Sequence, residues 1–521
     1  MEAKKDTAAK PPGGAWAGRR GGPDLTTGPI GKTLIVFALP VMGANILQSV
    51  NGSANAIWVS HVLGEAALTA ISNANQIFFL MLGAVFGITM AANIMIGQAI
   101  GADDKALAKR VVGTSTIFFI VVSLAVGVAG FTLTPAILSA MGTPQDARAD
   151  AIAYLQVIFA AMPFIYFFSF MMMAQRGAGD SRTPFYFSLM AVILDVILNP
   201  LLITGYGPFP RMGIAGSATA TLISQTLTLA AMLVYLYRSG SILVLRPNEW
   251  RLLIPDLTIV RTLVFKGMPM AFQMMVISLA AVTMMTMVNG YGSQTAAAYG
   301  AAVQLWTYVQ MPAMALGAAV SSMAAQNVGA GRMDRVAQIA RTGVFYAAVF
   351  TATPIIIIYF ADPFVLRAFL PASSPSLPIA VHINSIVLWG FIPFGMAFIF
   401  SGIVRATGAV WPPLLAMIIA LWGVRVPLAN VLTPYLGSDA IWISFPVGSL
   451  VSCLLAAGYY RWGGWRKSRM LVTHPRGEAA DTGMGPPQGV EESETAAGVA
   501  EEVRRSALSG PSRPRSEAPA E

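Results

Sequence analysis

Of the 521 residues, 55% are hydrophobic and only 11% are charged, with a mean hydropathy of +0.65. That balance excludes a soluble globule, in which about 25% of residues are charged, and implies a chain that crosses a membrane many times. The net charge of +9 calls for no nucleic acid, because most of the excess falls in connections between apolar stretches.

Residues 1–30 carry Lys4, Lys5, Lys10, Arg19 and Arg20 among Gly and Pro, without a short apolar core or a small-residue cleavage site. They read as a flexible cytoplasmic lead rather than a signal peptide. Six apolar stretches follow, at 33–60, 66–98, 111–138, 150–174, 184–206 and 213–237. Each is long enough to cross roughly 30 Å of hydrocarbon, and together they predict an N-lobe over 31–240. After a cytoplasmic linker at 241–258 come six more, at 259–290, 296–326, 337–360, 380–404, 410–434 and 438–461, which predict a C-lobe over 259–462. The segment 463–521 turns to Gly, Pro, Ser, Ala and Glu and is expected to be a disordered cytoplasmic tail.

The two halves echo each other. Pro40 matches Pro269 at an offset of 229, Gln98-Ala-Ile-Gly-Ala matches Gln326-Asn-Val-Gly-Ala at 228, and Met162-Pro163-Phe164 matches Ile392-Pro393-Phe394 at 230. Arg176 and Arg405 repeat at 229. Six spans per copy is an even number, so both copies enter the membrane in the same sense, related by a pseudo-two-fold axis along its normal. The expected fold is an all-α membrane protein with twelve transmembrane helices in two pseudo-symmetric six-helix lobes around a central cavity.

Connections after even-numbered spans, with the first turns of the spans they lead into, carry fourteen Lys and Arg, Arg176 and Arg405 among them, whereas those after odd-numbered spans carry Arg148, Arg211 and Arg367. The positive-inside rule then puts both termini in the cytoplasm of a multi-pass inner (plasma) membrane protein.

Asp195 is the one acidic residue placed inside an apolar span. A carboxylate there is costly to charge and points to function, because its protonation then responds to pH and to bound cations. Asn199 stands four residues on, on the same helix face and about 6 Å along the axis. Pro200 follows and removes a backbone donor nearby. Asn55 in the first span and Thr221 in the sixth are polar positions able to complete a site around Asp195, or to make ordinary interhelical bonds. Arg425, the basic counterpart in the second half, is read as a partner for Asp195 across the cavity, as a side chain snorkelling to a partner near the inner surface, or as a structural residue. Pro40 and Pro269 mark candidate bends in the first span of each half. The Met runs at 171–173 and along the seventh span suit either an adaptable apolar cavity or plain packing. Cys453 reads as a packing residue. His61, His382 and His474 lack metal-ligand spacing, and no phosphate-binding Gly-rich loop precedes a Lys-Ser/Thr pair. An enzyme is not expected, and no cofactor is implied beyond a proton or sodium gradient.

The segments Ala38-Leu-Pro40, Gln98-Ala-Ile-Gly-Ala102, Arg176-Gly-Ala-Gly-Asp-Ser-Arg-Thr-Pro184 and Gly213-Ile-Ala-Gly-Ser-Ala-Thr-Ala-Thr-Leu-Ile-Ser-Gln225 resemble those of the multidrug and toxic compound extrusion (MATE) family, over about residues 28–462. The resemblance implies export of amphipathic, often cationic compounds in exchange for protons or sodium. For the DinF-like branch it implies a coupling site in the N-lobe, on positions that match Asp195, Asn199 and Thr221. Many members carry an acid where this chain has Asn55, and often an Asn before an Asp in the fifth span, the reverse of Asp195 and Asn199. Acids that another branch places in spans seven and ten are here Ile277 and Phe394. With one carboxylate left, a proton is the more economical coupling ion. The sequence thus predicts a monomeric, proton-coupled multidrug antiporter with Asp195, Asn199, Asn55 and Thr221 as its site and Pro40 as a hinge. Sodium-coupled export, lipid-linked precursor flipping and a non-transporting membrane scaffold stand as alternatives.

Overall fold

In hydrocarbon a backbone N–H or C=O has no water to bond, so a spanning segment closes its hydrogen bonds within itself. The computed structural model describes residues 24–470, apart from 64, 144, 208, 368 and 372, as helices joined by short connections, with no strand among them. The first lobe holds α1 (Ile30–Leu63), α2 (Glu65–Gly101), α3 (Lys105–Ala140), α4 (Gln145–Gly177), α5 (Arg182–Thr204) and α6 (Ile214–Ser239). The second holds α7 (Leu257–Asn289), α8 (Ser293–Gly329), α9 (Met333–Leu366), α10 (Ser376–Ala406), α11 (Trp411–Leu436) and α12 (Asp439–Trp462). Every predicted span corresponds to one of these twelve rods. A one-turn 3₁₀ segment at Leu388–Gly390 interrupts α10, and α11 widens into a π-helical stretch at Ile419–Arg425.

Eleven of the described rods are long and apolar enough to cross a membrane; α8 falls short on apolarity. Its buried residues include Ser321, Ser322, Gln326 and Asn327, and it packs against α1, α2, α9 and α10. A helix surrounded by protein is free to carry small and polar residues that a lipid-facing one is not.

Polar side chains set several helix starts. Asp104 Oδ1 accepts from the Leu107 N–H at 2.8 Å at the head of α3, and Asp256 Oδ1 from the Thr258 N–H at 2.9 Å at the head of α7. The predicted linker includes a 3₁₀ turn, Pro247–Leu253, whose Glu249 pairs with Lys109 of α3. The Arg246 backbone N–H first, and Lys109 second, hold the Glu249 carboxyl below the ordinary range.

The lobes meet with the pseudo-symmetry of the repeat: α1 packs on α8, its counterpart α7 packs on α2, and α2 meets α8 between them. The α2/α8 contact is closest at the end of the bundle that carries the termini. A Cβ on Gly101 would overlap the Gln326 carbonyl oxygen, and one on Gly329 would overlap that of Gln98. Beside them lies a reciprocal clasp. Gln98 Nε2 donates to the Ala406 carbonyl at 2.7 Å, and Gln326 Nε2 to the Gly177 carbonyl at 2.9 Å. Each glutamine reaches from its own lobe to the last turn of the other lobe's fourth helix, and both are buried.

Two predicted boundaries need correction. The lead was expected to be flexible through residue 30, yet Leu25 is fully buried and the Leu25, Thr26, Thr27 and Gly28 carbonyls accept hydrogen bonds from Asn327, Arg332 and Arg335. The tail was expected to be disordered from 463, yet Trp465 is buried and stacked on Tyr460, and Met470 is buried. In both cases large apolar side chains, Leu25 in the lead and Trp465 and Met470 in the tail, find a cover that composition does not reveal. The rest of the predicted lead and tail, including His474, lies outside the described residues.

Gly101→Val and Gly329→Val should each force α2 from α8 and cost about 1–3 kcal/mol of stability. Gly300→Ala, on the same helix as Gly329 but with open space around the added methyl, should be neutral or gain up to about 1 kcal/mol. Thermal unfolding of the purified protein in detergent checks all three.

Candidate functional site

The fifth helix runs Asp195-Val-Ile-Leu-Asn199-Pro200, and its polar pair faces inward: Asp195 is 2% exposed and Asn199 is fully buried. Pro200 contributes no N–H, so the Val196 carbonyl loses its intrahelical donor. The opposing helix α1 carries a second polar pair at the same spacing, Asn51 and Asn55. Asn51 Nδ2 donates to Asp195 Oδ2 at 2.8 Å, and Asn55 Nδ2 to the same oxygen at 3.1 Å. The other carboxyl oxygen accepts from Thr221 Oγ1 of α6 at 3.2 Å. Asn199 Nδ2 donates to Asn55 Oδ1 at 2.7 Å and to Ser217 Oγ at 3.1 Å. A single chain of hydrogen bonds thus runs from α6 through Asn199 and Asn55 to Asp195, tying three helices to one carboxyl group.

All four residues expected to form the site are brought together. Sequence reading missed Asn51 and Ser217. Asn51 carried a signal, since it lies one turn from Asn55 and on the same face, as Asp195 does from Asn199. Ser217 carried none, because small hydroxyl residues are common where helices pack closely. Pro40 is not part of the cluster. It lies about 22 Å from Asn55 along α1 at 1.5 Å per residue, inside a helix that runs through it without a break.

What the cluster does chemically follows from its composition. Burial opposes charge on the carboxyl, while three donors favour it. Adding a proton or a cation would remove acceptor capacity from Asp195 and release donors of α1 and α6. Two acceptors of the cluster, Asn51 Oδ1 and Asn199 Oδ1, are buried without a donor. Among the described residues no three His, Cys, Asp or Glu side chains gather as a metal site. His382 Nε2 does meet Asp439 Oδ1 at 2.9 Å, joining α10 to α12.

The MatE family pattern matches this chain twice, over residues 40–201 and again over 269–431. The chain belongs to the MatE family. The two matches begin 229 positions apart, at Pro40 and Pro269, the offset of the internal repeat. Relatives are similar along nearly their whole length. The "Probable multidrug resistance protein YoeA" of Bacillus subtilis is 36% identical over 84% of this chain and 95% of its own. The "Probable multidrug resistance protein NorM" of Thermotoga maritima is 27% identical over 85% and 95%. A crystal structure of a MATE protein in complex with MaD3S superposes with a TM-score of 0.78 at 20% identity, covering 84% of this chain and 96% of that one, which shows the shared two-lobe fold.

In this MatE chain Arg425 is placed in agreement with the structural reading and with neither of the other two. It does not pair with Asp195 and does not snorkel to the inner surface; its guanidinium lies over the Phe445 ring, 3.1 Å from the centroid, within the second lobe. Nor is it the only cation within a helix. Arg176 and Arg405, read as connection residues, are buried in the last turns of α4 and α10, where Arg405 Nη1 donates to Gln273 Oε1 at 2.9 Å.

Asn55→Ala removes both a donor to Asp195 and the acceptor of Asn199, and should cost about 1–3 kcal/mol because buried polar groups lose their partners. Ser217→Ala leaves Asn199 bonded to Asn55 and should cost about 1 kcal/mol or less. Thermal unfolding in detergent distinguishes them, and equal losses would deny Asn55 its place at the centre of the network.

Proposed function

We propose that this MatE protein is a secondary active exporter of the bacterial inner membrane, with cytoplasmic termini, that expels small amphipathic organic compounds in exchange for protons. The observation that carries this reading is the Asp195 cluster. One carboxyl group holds donors from α1 and α6, so a change in its charge redistributes bonds on three helices at once. The names of the similar proteins, multidrug resistance proteins in both cases, support export of drug-like compounds.

In the proposed cycle Asp195 takes up a proton from the outer side, its hydrogen bonds with Asn51, Asn55 and Thr221 rearrange, and α1 bends near Pro40. Substrate is displaced outward. Opening of the inner face requires the Gln98 and Gln326 clasp to part and the segment at Leu25–Gly28 to leave α8 and α9. Return of the proton to the cytoplasm resets Asp195. The protein acts as a monomer in this scheme, since each lobe supplies the other's partner surface.

Sodium coupling is the second reading, favoured by one feature: the donor-free oxygens Asn51 Oδ1 and Asn199 Oδ1 belong to residues of the Asp195 cluster, and hard cations take several oxygen ligands.

Proton movement in inverted membrane vesicles energised by respiration, followed with a pH-sensitive dye, tests the proposal. Adding cationic candidate substrates should release protons from wild-type vesicles and not from Asp195→Asn vesicles. Substrate-driven movement of sodium instead, lost in Asp195→Asn, would transfer coupling to sodium. Equal proton release from both proteins would remove Asp195 from the coupling step.

A further inference from the structure

The second lobe holds, within one of its spans, a cation for which export of cations has no use. Arg425 lies at the end of the π-helical stretch of α11, where the Val426 N–H reaches back to the Leu421 carbonyl and Pro427 supplies no donor at all. Isolated π turns recur at functional sites, because the extra residue displaces a side chain from the regular helical array. Among the described residues Arg425 has no salt bridge and no hydrogen-bond acceptor. Asp439, the acid on neighbouring α12, is engaged by His382. Arg425 Nε is buried and unpartnered, and the residue as a whole is only partly buried. One face of the guanidinium is covered by Phe445, and the N–H groups along its edge carry no partner among the described residues.

The surroundings are aromatic. Tyr299 stacks on Trp442 at 5.7 Å and contacts Phe445 at 6.3 Å, and Trp306 meets Phe445 at 5.3 Å and Phe391 at 5.9 Å. The Trp306 indole N–H is held by Asn384 Oδ1 at 2.9 Å, which fixes that ring. Cation–π contact offsets part of the cost of an unpaired charge at membrane depth. It leaves every N–H of the guanidinium without an acceptor, and a planar fork of this kind binds a carboxylate or phosphate with two parallel hydrogen bonds.

We propose that Arg425 and the rings of Tyr299, Trp306, Phe391 and Phe445 form an oxyanion subsite in the second lobe, which takes the carboxylate or phosphate of an aromatic or otherwise apolar molecule. The pseudo-symmetric lobes then carry opposite charges: a carboxyl in the first, at Asp195, and a guanidinium in the second, at Arg425. Its meaning for transport rests on the export reading above, and extends the substrate class from cations to organic anions and zwitterions. The same chemistry is offered by the phosphate of an anionic lipid headgroup, so the test separates the two sources.

The test is equilibrium binding of naphthalene-2-carboxylate and of the uncharged naphthalene-2-carboxamide to the full chain in phosphatidylcholine nanodiscs, corrected for empty nanodiscs. Wild type should prefer the carboxylate by about tenfold or more, the value of a charge-assisted bond. Arg425→Gln should abolish the preference, and Arg425→Lys, which keeps the charge without the planar fork, should retain part of it. A wild-type preference that disappears when phosphatidylglycerol is added assigns the site to lipid headgroups; one that persists assigns it to free organic anions. Equal binding of the two probes by wild type overturns the proposal without any variant, as does a preference that survives Arg425→Gln. The assay applies no ion gradient, so a wrong coupling assignment at Asp195 would show in the vesicle experiment and leave this result standing.

Discussion

Hydrocarbon offers no hydrogen bonds, and most of this structure follows from that one constraint. It makes every span a helix, since only a helix closes its backbone bonds within a single segment. It also means that each polar side chain below the membrane surface needs a partner from a neighbouring helix. Asp195 is satisfied by three donors from α1 and α6, Trp306 by Asn384, and the two glutamines of the clasp by carbonyls of the opposite lobe. In each case the bond that satisfies the side chain also ties together separate segments of the chain. Polar contacts within the membrane therefore specify arrangement, while apolar burial and close packing supply the bulk of the cohesion.

The same constraint explains how a transporter of this kind changes state. If bonds that hold helices together are few and polar, altering one group alters the arrangement. At Asp195 the cycle proposed above would use this: a proton or cation on the carboxyl would change what it accepts from α1 and α6, and α1 would pass the change toward Pro40. At the end of the bundle that carries the termini, Gln98 and Gln326 cross between lobes, and Asn327, Arg332 and Arg335 hold the segment at Leu25–Gly28, all through side-chain bonds to main-chain carbonyls. The two glutamine bonds involve no charged group, so parting them in the proposed cycle would strand no charge. Close approach at Gly101 and Gly329 completes the seal through van der Waals contact.

Much of this was legible in the sequence because it depends on local patterns. Apolar runs located all twelve rods, and the offset between Pro40 and Pro269 revealed the duplication that the two family matches repeat. The four polar residues expected at the site, Asp195, Asn199, Asn55 and Thr221, were found because polar groups in apolar helices are rare. Asn51 was missed although it obeys the same spacing rule, and Ser217 was missed because a small hydroxyl residue in a helix is unremarkable. The end of α8 shows the opposite failure. Gln326 and Asn327 lie at a predicted helix end, where polar residues suggest solvent, yet both are buried between lobes.

By itself the sequence determined the class of protein, the number of helices, the duplication and the one acidic residue that hydrocarbon would not tolerate without partners, all properties set by composition and by spacing along a single segment. The tertiary structure decided which helix donates to Asp195, that Gln98 and Gln326 cross between lobes, that Leu25 and Trp465 find cover, and that Arg425 rests on Phe445 rather than opposite Asp195. The physical reason is that these are contacts between segments far apart in the chain. Their existence depends on helix rotation and depth, and neither is written in the hydrophobicity of the helix that carries them.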